Sequence, residues 1–245
     1  MTYTPPIAEQ RFVLDHVARI AALAETERFA AAEPDMIDAI LDGAGALAAG
    51  EWAPTNRTGD THYPQWKDGS VTMPPGFKQA YEAYVDGGWG TIAGPVDFGG
   101  QGLPNALGFA VTESLGTANM GFCLCPILSS GAVEALASHG SDDQRAMYLE
   151  KLVSGEWTGT MNLTEPQAGS DVGALRSTAE PAGDGSYRIK GTKIFITFGE
   201  HAGQRGRAAS RCFWCPKSVP MAAAMICVAP RSNISLASTA PPPAS

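Results

Sequence analysis

The spacing of apolar residues changes near residue 156, and this change limits the folds open to the chain. Before it, apolar residues recur every three or four positions, as expected for helices, for example in 105–117. After it, Trp157, Met161 and Leu163 alternate with polar residues, which is the spacing of a half-buried strand. We therefore predict an α+β chain in which an all-α domain, residues 1–156, precedes a β domain that begins at residue 157.

The helical part is predicted to contain six helices separated by proline and glycine. The predicted helices span 7–29, 34–49, 77–85, 105–117, 126–137 and 142–154. The first carries apolar residues at helical spacing, expected to form one apolar face: Phe12, Val13, Val17, Ile20, Ala21 and Leu23. The last is preceded by Ser141-Asp142-Asp143-Gln144, which is a reciprocal capping pattern.

Two stretches between these helices are predicted to be irregular. Residues 54–75 are polar and contain glycine, which is typical of a long surface loop. Residues 89–104 are rich in glycine, but their spacing fits neither a P-loop nor a dinucleotide-binding fingerprint. We therefore interpret 89–104 as a tight connection between packed helices rather than as a phosphate site.

The β part is predicted to continue as a hairpin and one further strand. Gly183-Asp184-Gly185-Ser186 is typical of a hairpin turn, and strands are expected at 187–190 and 193–197. After His201 the strand periodicity disappears, and residues 202–245 form a tail that ends in Ala240-Pro241-Pro242-Pro243-Ala244-Ser245.

Composition excludes several classes of protein. The net charge of −8 argues against nucleic-acid binding, because holding phosphates requires an excess of Lys and Arg. No stretch approaches the roughly 20 uninterrupted apolar residues of a membrane span. No export signal is expected, because the first residues lack a basic region before an apolar stretch. Five cysteines, an odd number, fit a reducing compartment better than a disulfide framework. We expect a cytoplasmic protein.

Two segments of the β part carry the clearest sign of a ligand site. The segment 161–171, Met-Asn-Leu-Thr-Glu-Pro-Gln-Ala-Gly-Ser-Asp, runs from an apolar strand into a turn of small residues. Its hydroxyls and exposed amides can donate to an anionic or carbonyl-rich ligand, while its apolar residues offer a flat wall. The segment 193–199 has strand composition, and its Thr197 adds another hydroxyl.

Together these segments closely resemble the flavin-binding signature of the acyl-CoA dehydrogenases. That signature reads Leu-Thr-Glu-Pro-x-Ala-Gly-Ser-Asp, followed by Gly-x-Lys-x-(aromatic)-Ile-(Thr/Ser). The segments 11–17 and 97–102 resemble the longer bacterial members of this family. The resemblance covers residues 7–200 and implies a helical domain, a β-barrel domain and a second helical domain.

The resemblance also implies a cofactor, a substrate and a site. Members of the family hold FAD and a fatty acyl thioester; a carboxylate removes the α proton, and the β hydride passes to the flavin. Donors near the reduced flavin would stabilise its negative charge. Carried over by position, the flavin-binding residues are Met161, Leu163, Thr164, Ser170, Phe195, Ile196 and Thr197. Ser170 would also lie near the acyl-CoA, and Phe195 replaces the Trp that is commonest at its position.

Other reactive side chains are interpreted as structural. The resemblance implies that Glu165 and Asp171 shape the loop rather than take a proton, and Glu113 is expected to be a paired carboxylate on a buried helix. His16 and His139 lie near predicted helix ends, and Cys123 and Cys125 are expected to be small core residues. No metal site is expected, because the single pair Cys212 and Cys215 supplies no complete ligand shell.

The tail after about residue 201 is interpreted as an out-of-frame product or a disordered segment. Codons that encode Ser232–Thr239, begun one base earlier, can encode Ile-Glu-His-Lys-Leu-Gly-Ile-His, which contains a motif of the same family. The same offset applied to Cys212–Ser218 can give Leu-Phe-Leu-Val-Pro-Lys-Val, the family's next β strand. Two family motifs recovered in order and in one frame favour a frameshift over chance.

This interpretation has consequences for activity. The resemblance places the catalytic Glu and the oligomer interface in a C-terminal helical domain that is expected to be missing, and the β-barrel is expected to be incomplete. Weak or absent FAD binding and no turnover are therefore expected for this chain alone, with no catalytic residue assigned in it. The family also uses an electron acceptor. Two alternatives remain: a non-catalytic helical module that binds a protein partner, and an acyl-CoA oxidase.

Overall fold

A computed structural model describes residues 3–67, 70–183 and 187–199, together with the backbone of two strands at 211–214 and 225–228. The described helices are α1 (Ile7–Phe12), α2 (Ile20–Ala24), α3 (Pro34–Leu47), α4 (Ala53–Thr61), α5 (Phe77–Asp86), α6 (Asn105–Ala118), α7 (Met120–His139) and α8 (Asp142–Val153). Two π-helical segments, Val13–Val17 and Ala48–Trp52, and short 3₁₀ turns at Glu27–Phe29, Trp89–Thr91, Val96–Phe98 and Val172–Ala174 complete the helical structure.

The core of the helical domain is built around aromatic rings. Trp52 is fully buried, and its ring stacks on that of Phe122 with 4.3 Å between centroids. Phe77 lies 4.6 Å from the same ring at a tilt. Helix α3 packs on α6, and α7 packs on both α6 and α8. A second, smaller cluster joins α7 to α8 through Leu136 and Leu149.

The first predicted helix is wrong in both continuity and facing. It breaks at Arg19, whose φ of 52° is left-handed, and Val13–Val17 is π-helical. The π segment adds a residue to one turn and so rotates the downstream side chains relative to the predicted face. Phe12, Val13 and Val17 are exposed, while Gln10 and Leu14 are buried, so the predicted apolar face is not the buried one.

The stretch 54–75 is also more ordered than predicted. Helix α3 does not stop at Gly50 but continues through the π segment into α4. Strands β1 (Gln65–Lys67) and β2 (Ser70–Thr72) then form an antiparallel hairpin. The tertiary hydrogen bond from Asn119 Nδ2 to Thr55 Oγ1, 2.8 Å long, stabilises α4 in a way that local polarity does not reveal.

Helices α6 and α8 confirm their predictions, and α7 begins earlier than expected. Ser141 and Gln144 form the capping box at the start of α8. Helix α7 starts at Met120 rather than at Pro126, because the Asn119 side chain accepts a hydrogen bond from Phe122 N and caps it. Pro126 therefore lies inside the helix.

One of the described helices, α7, is long and apolar enough to cross a membrane, judged by length and composition alone. Core helices of soluble proteins pass the same test. It contacts α6, α8 and the first strand of the β part. Its buried residues include Phe122, Cys125 and Leu136. We interpret it as the central helix of the domain.

The β part consists of short antiparallel pairings. Its strands are β3 (Gly159–Asn162), β4 (Thr178–Pro181), β5 (Tyr187–Lys190), β6 (Arg211–Trp214) and β7 (Met225–Val228). Strands β4 and β5 form a hairpin, while β3, β7 and β6 form a three-stranded sheet in that order. The described strands do not close into a barrel, which agrees with the predicted incomplete β domain. The predicted turn residues 184–186 lie outside the described residues.

Two strand predictions are wrong. Residues 193–197 form no strand, because the left-handed φ of 57° at Phe195 is incompatible with an extended ladder. Conversely, β6 and β7 lie in the tail where no strand periodicity was found. Short apolar runs such as Met225–Val228 carry no alternation, so period-two analysis overlooks them.

Candidate functional site

The two signature segments lie side by side, with contacts between residues 30 or more positions apart in sequence. Ile194 N donates to Thr164 O at 2.9 Å, and Thr160 Oγ1 donates to Thr197 O at 2.6 Å. These two contacts make 193–198 run antiparallel to 159–164. We call residues 191–199 the strap. The structure thus brings together the flavin-binding candidates at 161–164 with those at 195–197.

Glu165 organises the turn that follows β3. Its side chain is only 3% exposed and accepts hydrogen bonds from Lys193 Nζ (2.7 Å) and Gln167 Nε2 (2.6 Å). It also accepts from the backbone amides of Arg176 (2.8 Å) and Ser177 (3.1 Å). The hydrogen bond from Lys193, followed by the other donors, holds the pKa of Glu165 far below its usual range.

A carboxylate with a lowered pKa and with both oxygens engaged in hydrogen bonds is a poor proton acceptor near neutral pH. Glu165 therefore shapes the loop, as expected from the resemblance. We call residues 163–177 the Glu165 turn. Asp171 also has a local structural role, because its Oδ1 accepts from Gly173 N at 3.1 Å and caps the 3₁₀ turn.

Large apolar side chains are exposed on both segments. Met161 on β3 is 46% exposed, and Phe195 on the strap is 85% exposed. Phe198 also has a left-handed φ, of 50°, but its ring packs toward Phe122 of the helical core, 6.4 Å between centroids. The strap thus carries one aromatic residue packed on the helical core, Phe198, and one exposed to solvent, Phe195. Left-handed backbone at a bulky residue is strained and marks a candidate binding position.

The remaining predicted site residues offer polar groups. Leu163, Thr164 and Ile196 are half-buried, whereas Ser170 and Thr197 are exposed. Within the part of the chain that the structure describes, the hydroxyls of Thr164, Ser170 and Thr197 make no hydrogen bond. Ser170 lies in the middle of the Glu165 turn, outside the backbone pairing that joins the other candidates.

A cavity in the helical domain was not predicted. It has a volume of about 810 Å³ and lies between the glycine-rich stretch 89–104 and helices α6 and α7. Most of its lining is apolar, as at Ile92, Val111 and Leu115, while the charged lining residues Arg28 and Glu134 are exposed. The glycine-rich stretch was its one sequence signal.

That glycine-rich stretch is a tight connection, as predicted. A Cβ at Gly100 would lie 2.1 Å from the Gly94 carbonyl carbon, so the two backbones touch. The cavity is linked to the strand side by Ser129, which lines it and whose Oγ accepts from Gly159 N of β3 at 3.1 Å.

The other reactive side chains serve the fold. Cys123 and Cys125 are buried, and burial raises the pKa of each thiol to about 12. Glu113 is exposed rather than buried and accepts a hydrogen bond from Gln10 Nε2 at 3.0 Å. His16 and His139 are exposed near helix ends. Among the described residues no group of three or more His, Cys, Asp or Glu could hold a metal ion.

Two family models match consecutive parts of the chain. Residues 37–156 match the N-terminal domain of the acyl-CoA dehydrogenases, and residues 160–206 match their middle domain. The 3-methylmercaptopropionyl-CoA dehydrogenase of Ruegeria pomeroyi is 45% identical over 201 residues, which are 82% of this chain and 34% of that relative. This chain therefore spans about a third of the length of the relative, and the resemblance to bacterial members is confirmed.

Solved structures agree with this assignment. An acyl-CoA dehydrogenase complexed with FAD from Bacillus anthracis has the same fold, with a TM-score of 0.58 and 18% identity over 82% of this chain and 36% of that one. A structure of the electron transferring flavoprotein of Acidaminococcus fermentans matches with a TM-score of 0.56 and 25% identity, over 77% of this chain and 44% of that one. With two consecutive domain models and a close curated relative, the chain belongs to the acyl-CoA dehydrogenase family.

Proposed function

We propose that this chain supplies flavin-binding and acyl-binding surfaces of an acyl-CoA dehydrogenase. The observation that carries the proposal is the pairing of the strap with 159–164, which brings together the candidate residues of both signature segments. Bound FAD would accept the β hydride of an acyl-CoA thioester as its α proton leaves, forming a double bond. FAD is a cofactor of the family, as the Bacillus anthracis complex illustrates.

The residues present fit a flavin. The exposed side chains of Met161 and Phe195 offer apolar surface for the isoalloxazine, flanked by Leu163 and Ile196. Free hydroxyls at Thr164 and Thr197 offer donors for the polar edge of the ring, where negative charge develops on reduction. Ser170 is exposed on the turn and is assigned to the pyrophosphate and the acyl-CoA.

The cavity in the helical domain suits an acyl chain. A volume of about 810 Å³ with mainly apolar walls lies in the range of small-molecule sites. Its lining residue Ser129 is hydrogen-bonded to β3, so the cavity adjoins the strand that carries Met161. The residues of this chain therefore bind and orient, while the proton-accepting Glu is assigned to the family's C-terminal domain.

We further propose a cytoplasmic location, an electron-transfer protein as the acceptor and a homo-oligomer for an intact member. The match to a structure of an electron transferring flavoprotein supports an electron-transfer partner. A second candidate function, a module that binds a protein partner, is favoured by the exposed apolar residues Phe12, Val13 and Val17. Binding of this chain to a full-length homologue would distinguish that function.

The flavin assignment is tested by replacing an exposed methionine with a charged residue. Of the weak or absent FAD binding expected for this chain alone, the flavin assignment requires weak binding, measured as saturable quenching of FAD fluorescence by the wild-type chain. In Met161→Asp, a carboxylate would replace apolar surface against the ring and would lose hydration there, so we expect at least about tenfold weaker binding in the variant. Met147→Asp is the matched control, because Met147 on α8 is similarly exposed, at 52% against 46% for Met161.

Equal titration curves for the two variants, or no quenching by the wild type, would contradict the flavin assignment. We expect no bleaching of the flavin when an acyl-CoA is added to this chain alone, since no catalytic base is assigned within it. Acyl-CoA-dependent bleaching would overturn that expectation.

A further inference from the structure

Lys193 occupies an unusual place for a lysine. Its side chain is only 12% exposed, although long charged side chains are mostly exposed in folded proteins. Its Nζ lies 2.7 Å from Glu165 Oε1 and 3.0 Å from the carbonyl oxygen of Leu163. Burying a flexible side chain costs conformational entropy, so its contacts have to offset that cost.

These contacts connect the strap to the Glu165 turn. Glu165 already gathers the amides of Arg176 and Ser177 and the side chain of Gln167. Lys193 adds the strap to this group, and it also contacts the backbone of Leu163, one of the flavin-binding candidates. A single ammonium therefore links the strap to the Glu165 turn at two points, the Leu163 carbonyl and the Glu165 carboxylate.

The strap has few other connections to hold it in place. No described residue between Gly191 and Thr197 belongs to a strand, so the strap lacks a regular hydrogen-bond ladder. At its start, a Cβ on Gly191 would lie 1.9 Å from Ser177 Oγ, so the backbone there is pressed against the Glu165 turn. Phe195, with its left-handed φ, follows Lys193 by two residues.

We propose that Lys193 is a positioning residue that holds the strap in register with 161–165 and thereby presents Phe195 to the flavin. The proposal rests on the proposed function for its flavin part. Lys193 acts on the ring indirectly, through the backbone that carries Phe195. Replacing it would release the strap and leave a buried carboxylate without its cation.

The first test uses amide hydrogen exchange, which needs no flavin. In Lys193→Met we expect the amides of Ile194 and Arg176, which donate to Thr164 O and to Glu165, to exchange at least about tenfold faster. The matched control is Lys190→Met, because Lys190 is an exposed lysine on β5. Adding Glu165→Gln to Lys193→Met removes the unpaired charge, so protection should partly return in the double variant.

The second test asks whether Lys193 acts through Phe195. We expect Lys193→Met and Phe195→Ala each to weaken quenching of FAD fluorescence, and the double variant to be no weaker than Phe195→Ala alone. Independent roles would instead multiply the two effects, and that result would overturn the proposal. A role limited to folding would weaken binding equally with and without Phe195.

The two proposals fail in different ways. Unchanged exchange at Ile194 in Lys193→Met would overturn the role of Lys193, whatever the flavin does. Absence of quenching by the wild type would overturn the proposed function, and the exchange data would then decide by themselves whether Lys193 holds the strap.

Discussion

At the scale of single residues, Glu165 illustrates how an acidic residue of a catalytic family can serve structure rather than chemistry. Four donors surround its carboxylate, and the lysine among them comes from a segment 28 residues away. The Glu-Pro sequence alone does not show whether Glu165 is a catalytic base or a structural hydrogen-bond acceptor. The count and identity of the donors did, because they stabilise the ionised form and leave no acceptor oxygen free.

The stability supplied by Glu165 should depend on pH. Because its pKa is lower in the folded chain than in the unfolded chain, its stabilisation is fully present above the unfolded value, about 4.3, and is lost as the pH falls below it. The difference in unfolding free energy between the wild type and Glu165→Gln should therefore be largest near neutral pH and shrink below about pH 4. Urea titrations at several pH values measure it.

Glu150→Gln is the control for this experiment, since Glu150 is exposed on α8. All other carboxylates are common to the variants and cancel in the difference. A gap between wild type and Glu165→Gln that stays constant from pH 7 to pH 3 would show that Glu165 carries no special stabilisation in the folded state.

At the scale of elements, the contact between α7 and β3 joins the two parts of the chain. Gly159 begins β3, and a Cβ there would lie 2.4 Å from the Cβ of Ala132 on α7. Gly159 N also donates to Ser129 Oγ. The strand can approach the helix this closely only because one of the two residues has no side chain.

Gly159→Ala should therefore be destabilising. Two Cβ atoms cannot occupy the available space without a shift of the strand, and overpacking of this kind costs about 1–3 kcal/mol. The unfolding free energy from urea denaturation measures the effect. Gly131→Ala on α7 is the matched control: nothing lies within 4 Å of its added Cβ, and helix propensity predicts a gain of up to about 1 kcal/mol.

Equal stability of Gly159→Ala and the wild type would show that β3 can move away from α7 at little cost.

The errors in the predicted helices also arise at the level of whole elements. Periodicity predicted α6 and α8 well because both are regular, whereas the π segments at Val13–Val17 and Ala48–Trp52 changed the register of the neighbouring turns.

At the scale of the whole molecule, the chain combines an N-terminal and a middle domain and spans about a third of its curated relative. The middle-domain match ends at residue 206, close to the point where the frameshift is predicted. The presence of β6 and β7 does not test the frameshift. Antiparallel pairing is made by backbone N–H and C=O groups, which are present whichever reading frame is translated.

The frameshift is tested by sequencing the DNA around codon 202. We expect a one-base shift there to open a long frame that encodes Leu-Phe-Leu-Val-Pro-Lys-Val and then Glu-His-Lys-Leu-Gly-Ile. The codons before 201 serve as the control, since they should read as a dehydrogenase without any shift. Absence of such a frame would rule out the frameshift and leave residues 202–245 as encoded.

The sequence by itself determined the family, the helical and β parts, the capped start of α8 and the two signature segments, because each depends on neighbouring residues in the chain. Only the tertiary structure decided how those two segments contact each other and the rest of the chain. The Lys193–Glu165 pair, the exposure of Phe195 and the cavity beside α7 all arise from contacts between residues far apart in sequence. Local periodicity reports which face of an element is apolar, but only packing decides which distant element covers it.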